Sequence, residues 1–427
     1  MLGRDVAAYA EALARFSRNA RLYIVHVIGM DMIHGTWDVL FNLYLLTVGF
    51  GIDFVGVRLL ASGLAGSVAS IPAGIVSDRI GRKWSFIIGD GVGAALGVVS
   101  ILSTSEPVLL ATAVLASCAG ALHNVSEPAF MAENSEPPER VHLFSVASGL
   151  RTGSAMIGSL VAGFVPVLAA DLADKITLYR SATLLGLAVW GLSLIPALLL
   201  RGADRPRERA AGVRGVLAAV VHPDRIAKLV TVSAVTALGF AFVGPLFNVF
   251  YAEGLHAHTH EIGLTFASGD LVLAAASLIA PFLVARLTKV QAIVYTRLLA
   301  VPFILVIGLS PSLATVQSVL TLAGLAYVLR IVLSNAATPI AEAFAMELLD
   351  PGERATMVGL RATVGQILAG VGSFAGSRLM TSGDFVTPFY VMAALYAAAA
   401  VLFWIWFRPM ERGTAEIAVP GALVSQA

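Results

Sequence analysis

Long apolar runs, separated by short charged or glycine-rich joints, fill the chain from about residue 23 to about residue 407. A helix that crosses a bilayer needs about 20 mostly apolar residues at roughly 1.5 Å of rise each. About twelve such spans are expected by that measure: 23–48, 54–77, 84–103, 107–132, 142–169, 175–200, 226–252, 261–285, 290–309, 312–342, 355–380 and 385–407. The densest joint is Gly74-Ile75-Val76-Ser77-Asp78-Arg79-Ile80-Gly81-Arg82-Lys83. Upstream of it, Gly51 to Val76 is charged only at Asp53 and Arg58; downstream, Trp84 to Ser103 is charged only at Asp90. The joint at 201–225, rich in Arg, Pro and Ala, is the long one. The pattern predicts an all-α polytopic membrane protein: an N-terminal segment (1–22), a six-helix bundle (23–200), a central loop (201–225), a second six-helix bundle (226–408) and a tail (409–427).

Composition agrees. Of 427 residues, 58% are hydrophobic and 13% charged, with mean hydropathy +0.84, whereas soluble domains carry about 25% charged residues. The net charge of +1 gives no reason to expect a nucleic-acid partner. The single cysteine, Cys118, excludes an intramolecular disulfide and a cysteine-based metal site. Residues 1–21 lack the apolar core of a signal peptide, being broken by Arg4, Asp5, Glu11, Arg15 and Arg18.

Basic residues set the expected orientation, because positively charged joints stay on the cytoplasmic side. With the N-terminus inside, the inner joints hold Arg4, Arg15, Arg18, Arg21, Arg79, Arg82, Lys83, Arg140, the basic run from Arg201 to Lys228, Arg286, Lys289, Arg354, Arg408 and Arg412. The outer side holds Arg58, Lys175, Arg180 and Arg378. Both termini are therefore expected in the cytoplasm, and the membrane is expected to be the plasma membrane.

The chain also repeats itself. Leu40-Phe41-Asn42-Leu43-Tyr44 returns as Leu246-Phe247-Asn248-Val249-Phe250, and Glu133 to Arg140 returns as Glu347 to Arg354. Asn124 and Pro128 are echoed by Asn335 and Pro339, and Gly158-Ser159 by Gly372-Ser373. Matched segments at a near-constant offset are the mark of parallel structural repeats.

With spans, repeat and long central joint in view, the string Gly-x-x-x-Asp-Arg-x-Gly-Arg-Lys between the second and third spans resembles the signature motif of the major facilitator superfamily. The resemblance covers nearly the whole chain. It implies two six-helix bundles around a central cavity, and alternating access by rocking of one bundle against the other. It also implies a cytoplasmic gate in which Gly74, Asp78, Arg79, Gly81, Arg82 and Lys83 take part, with Glu133 and Arg140 as partners and the start of the eleventh helix nearby. The corresponding second-half segment, Ala285-Arg286-Leu287-Thr288-Lys289, lacks the acid and the glycine, so no equal latch is expected there.

Ionisable groups at bilayer depth are costly unless paired or wetted, which makes each a site candidate. Asp31, Asp38 and Asn42 fall on one stripe of the first span, with His34 at its edge. That stripe is read as a protonation and substrate-binding face, or as an interhelical hydrogen-bond network. The fourth span adds His123, Asn124 and Glu127, and the fifth adds Arg151, whose expected partner is Glu127 or a first-span acid. The second half offers Asn248, Tyr251, Asp270, Arg330, Asn335 and Arg361, with Asp270 and Arg361 a possible structural pair. The resemblance places the ninth helix at the periphery, so Arg297 is read as a packing or snorkelling residue. His256, His258 and His260 alternate in an outer joint and raise a metal site, which is not expected there.

No Gly-Lys pair occurs, so a P-loop is absent. No cofactor is expected, and no nucleophile, base and orienting group cluster as in an enzyme. The resulting expectation is a monomeric secondary transporter of a small organic solute, working by alternating access with protons. Efflux of lipophilic compounds by proton antiport, and a receptor that has lost transport, are the competing readings. Proton-linked drug exporters of this superfamily often carry an arginine in the middle of the fourth helix and a Gly-Pro pair in the fifth; neither is present.

Overall fold

The computed structural model describes residues 15–201, 220–276, 286–313 and 318–417. Among these residues, twelve helical passes follow in order: α1 (Arg18–Thr47), α2 (Ile52–Ile80), α3 (Arg82–Leu102), α4 (Glu106–Glu133), α5 (Pro137–Leu168), α6 (Lys175–Leu198), α7 (Pro223–Gly254), α8 (Thr259–Ala276), α9 (Lys289–Leu309), α10 (Val319–Leu348), α11 (Pro351–Thr381) and α12 (Thr387–Ile417). Ten of them are long and apolar enough to cross a membrane. The other two are α1, which carries the polar stripe, and α8, described only as far as Ala276. Large apolar side chains such as Val68, Ile71 and Leu192 stand exposed on the outside, which suits a hydrocarbon surrounding and not water. Most of the expected central joint, the first residues and the end of the tail lie outside the described residues.

Helix ends follow local chemistry. Gly81 takes φ 92°, a left-handed value glycine adopts without strain, and so turns α2 into α3. Asp174 caps α6 by accepting from the amides of Ile176 and Thr177. Thr288 with Gln291, and Asp350 with Glu353, form capping boxes at the starts of α9 and α11. The fully buried Glu353 carboxylate also accepts from the amides of Val221 and His222, fastening the joint before α7 to α11.

Two spans expected to be continuous are broken. The α-helix of α7 stops at Ala241, passes through a 3-10 turn at Gly244–Leu246 and ends in a π turn at Phe250–Gly254; Pro245 has no N–H to continue the ladder. In α10 the helix Val319–Asn335 is interrupted at Ala336-Ala337 and resumes as Thr338–Leu348, with Pro339 in its first turn.

Packing repeats between the halves. α1 packs on α5 and α6 as α7 packs on α11 and α12, α2 on α4 as α8 on α10, and α3 on α6 as α9 on α12. The halves meet through α2 with α11, α5 with α8, and α1 with the broken end of α7. The apolar core is correspondingly uneven. Toward the end away from the termini, one buried cluster joins both halves, with Val39, Phe41 and Tyr44 against Phe247, Phe250 and Tyr327. Toward the termini the cores separate. Tyr23, Phe86 and Phe130 belong to one half, and Ile293, Phe344 and Phe407 to the other.

Candidate functional site

Between the separated cores lies a cavity of about 770 Å³, lined from both halves. α1 contributes Asp38, α7 contributes Asn248 and Phe247, α8 contributes Asp270 and Phe266, and α10 contributes Tyr327, Arg330, Ser334 and Asn335. Arg361 of α11 lines it too, held at 2.7 Å by Glu342 of α10 and not by Asp270. The possible Asp270–Arg361 pair is thus replaced by one that depends on how Thr338–Leu348 is set after the break in α10. Asp38 and Asp270 make no ion pair among the described residues. Arg297, whose helix the resemblance put at the periphery, also lines the cavity.

Arg330 is 3% exposed and packs over the rings of Phe247 at 5.0 Å and Tyr327 at 5.2 Å. Its Nε, the Nη1 of Arg297 and the Oγ of Ser334 have no hydrogen-bond partner.

The first half carries a denser ion-pair network. Arg151 donates from Nε to Asp31 Oδ2 at 3.2 Å and from Nη2 to Glu127. Both partners proposed from sequence are therefore used at once. Asp31 is also 3.1 Å from His34 Nδ1. His123 departs from expectation: it faces α3, where its Nδ1 lies 2.9 Å from Asp90 Oδ2. The same oxygen is 2.9 Å from His26 Nε2. This fully buried His26–Asp90–His123 group was missed, although a lone acid in an apolar span was its signal. Asn124 is on a separate crevice with Gln366 of α11. Tyr251 is buried away from the cavity, its hydroxyl donating to the Ala323 carbonyl at 3.1 Å.

Asn42 joins the halves. Its Nδ2 donates to the Pro245 carbonyl at 2.8 Å and to Asn248 Oδ1 at 3.1 Å, while Asn248 Nδ2 donates to the Val39 carbonyl at 3.2 Å. The repeat-related asparagines thus bond to each other, beside a carbonyl in the broken stretch of α7. Glycines tighten the same end: Gly63 lies against Gln366 and Gly370, and Gly163 against Gly263. From mid-depth toward the termini, Gly74, Gly149, Gly153, Gly359 and Gly365 have no heavy atom within 4 Å of where a Cβ would stand. The molecule is closed at one end of the cavity and open at the other.

The family model for the Major Facilitator Superfamily matches residues 23–233 and 229–422. The chain belongs to the major facilitator superfamily. Its fold is similar to crystal structures of the nucleoside transporter NupG: a point mutant at TM-score 0.70 and 16% identity, covering 92% of this chain and 100% of that one, and NupG itself at 0.70 and 15%, covering 92% and 99%. No curated protein matches the chain.

The superfamily's motif sits at the open end. Arg82 is its centre, 2.9 Å from Asp78, 3.5 Å from Glu133, and donating to Ser77 Oγ at 2.7 Å. Arg140 donates to the Ala132 carbonyl, and Lys83 lies over the Trp84 ring at 5.9 Å. Arg79 is exposed. In the second half Lys289 pairs with Glu347, the repeat counterpart of Glu133, at 2.5 Å; the acid and glycine are lost, yet this one contact persists. Of the alternating histidines, His258 and His260 stack at 5.8 Å. The clusters whose ligand atoms converge, among the described residues, are His26–Asp90–His123 and His222–Asp350–Glu353.

Proposed function

We propose that this superfamily member is a proton-coupled secondary transporter of a small organic solute, and that the open end of its cavity faces the cytoplasm of a plasma-membrane protein with both termini inside. The observation that carries the reading is the pair Asp38 and Asp270: two cavity-lining carboxyls, one from each half, without an ion-pair partner among the described residues. A carboxyl in a dry site is driven neutral and one exposed to water ionises, so opening the cavity to one side or the other changes proton affinity. Asn42 with Asn248 and the glycine seams act as the outer closure. Asp78, Arg82 and Glu133 act as the cytoplasmic gate, reorganised when the halves rock together at that end. Arg151 with Asp31 and Glu127 holds α1, α4 and α5 as one body. The six-helix units run through residues 23–200 and 226–408, and the working unit is a monomer. The nucleoside transport named for NupG concerns that protein; at this identity the likeness speaks for fold and not for cargo.

The test uses purified protein in liposomes with a pH-sensitive dye inside and a panel of organic solutes outside. Solute flux accompanied by proton flux is expected, and Asp38→Asn with Asp270→Asn should uncouple the two. Solute flux with no proton movement, or coupling undiminished in the double variant, would show the carboxyl pair has another role.

A further inference from the structure

We infer that the α9–α10 wall of the cavity is an anion subsite, so that the solute carried is a small organic anion with a carboxylate or phosphoryl group. This deepens the transport reading above and rests on it. Three partnerless polar atoms, on Arg330, Arg297 and Ser334, belong to residues lining this wall. Arg330 is nearly fully buried, and its Nε finds no acceptor among the described residues. Aromatic faces stabilise its charge but do not accept the in-plane N–H groups. A buried donor left unmade carries a desolvation cost that an oxyanion removes, and the planar guanidinium matches carboxylate and phosphate geometry. Arg361 is already neutralised by Glu342. The rings beside Arg330, those of Phe247 and Tyr327, suit a flat apolar body attached to the anionic group.

The same lining sets the proton count. It holds the acids Asp38, Asp270 and Glu342 and the guanidinium groups of Arg297, Arg330 and Arg361. The other titratable groups facing it are the phenols of Tyr327 and Tyr396, and His34 stands next to Asp31 on the α1 stripe. With acids and guanidinium groups all ionised the lining is formally neutral. A bound monoanion adds one negative charge, and one proton taken up by the Asp38–Asp270 pair restores neutrality. Anion and proton binding then favour each other, because linkage is reciprocal. The coupling is symport, one proton per monoanion, without net charge movement.

The full chain in lipid nanodiscs is titrated by calorimetry with benzoate, its neutral isostere benzamide, inorganic phosphate and the nucleoside uridine, and proton uptake is followed with a dye in weak buffer. Benzoate, or phosphate at a pH where it is the monoanion, should bind saturably with uptake of one proton, and benzamide at least about tenfold more weakly. Arg330→Gln should weaken anion binding roughly tenfold to a hundredfold, with Arg330→Lys restoring part of it. If Arg330→Gln does not fold, Arg297→Gln is read in its place. Benzamide binding as well as benzoate, or uridine binding while neither anion does, overturns the subsite. Anion binding without proton uptake overturns the coupling. The two readings fail separately: anion binding with no flux in liposomes sinks transport and leaves the subsite, whereas proton-coupled flux of a neutral solute alone sinks the subsite and leaves transport.

Discussion

Asn42→Ala removes two hydrogen bonds that tie α1 to the broken end of α7, one to the Pro245 carbonyl and one to Asn248. A hydrogen bond contributes about 1 kcal/mol net in proteins and averages about 0.6 kcal/mol between membrane helices. The loss should therefore favour opening of that end by about 1–2 kcal/mol, roughly a 5- to 30-fold change in the ratio of closed to open molecules. Asn248→Ala should act in the same direction, and the double variant should fall short of the sum, because one bond is shared. Spin labels at Asp171→Cys and Ser382→Cys, one on each half at the closed end, in a Cys118→Ser background, report the separation directly. A growing long-distance population is the expected result. An unchanged distance distribution in both single variants would refute the argument that the asparagines hold this end shut.

Two further outcomes follow from the ion pairs and caps. Arg151→Ala leaves Asp31 and Glu127, whose side chains are 4% and 11% exposed, facing each other without their shared cation. Breaking a buried pair costs about 3–5 kcal/mol, reduced here to about 2–3 because Arg151 is itself partly exposed; thermal unfolding in nanodiscs should show the loss, and an unaltered midpoint would count against the network. Asp174, in the joint before α6, has its acidity strengthened first by the Thr177 hydroxyl and then by backbone amides, so its pKa lies below the ordinary carboxylate value. A depressed carboxyl stabilises the fold above its unfolded pKa of about 3.9 and loses that contribution as pH falls through the folded value. Asp174→Ala should thus lower the thermal midpoint at neutral pH, with the gap to wild type closing on acidification below the usual carboxylate range; a gap independent of pH would discount the cap.

Much of this architecture was legible because membrane helices must be long and apolar, and because a duplicated chain repeats its rare polar residues in register. Asn42 and Asn248 were recognisable as equivalents before either was placed, and Arg151 had to find Glu127 or Asp31 since no cation sits at that depth alone. Direction was the missing quantity. In α9 the helical neighbours of Arg297 one turn away, Ile293, Val294, Ala300 and Val301, are all apolar, so periodicity could not tell lipid from cavity. Glu342 and Arg361 meet only because α10 resumes after its break. His123 looked like a cavity residue until Asp90 was found on the helix it faces.

The two ends of the cavity are held by different physics. Glycine contacts and uncharged asparagines close one end, through forces that act over a few ångströms and ignore dissolved ions, joined by one exposed ion pair between the halves, Asp53 of α2 with Arg378 of α11 at 3.6 Å. The other end carries Asp78, Arg82, Lys83 and Glu133 at the edge of the helices, where screening and lipid headgroup charge reach them. Ionic strength and lipid headgroup charge therefore act more strongly on the termini-bearing end, where the charges cluster, than on the other, where the Asp53–Arg378 pair stands beside contacts that salt does not reach. A change in salt or in one leaflet's lipid charge thus shifts the balance between the two ends while leaving the lining of the cavity as it is.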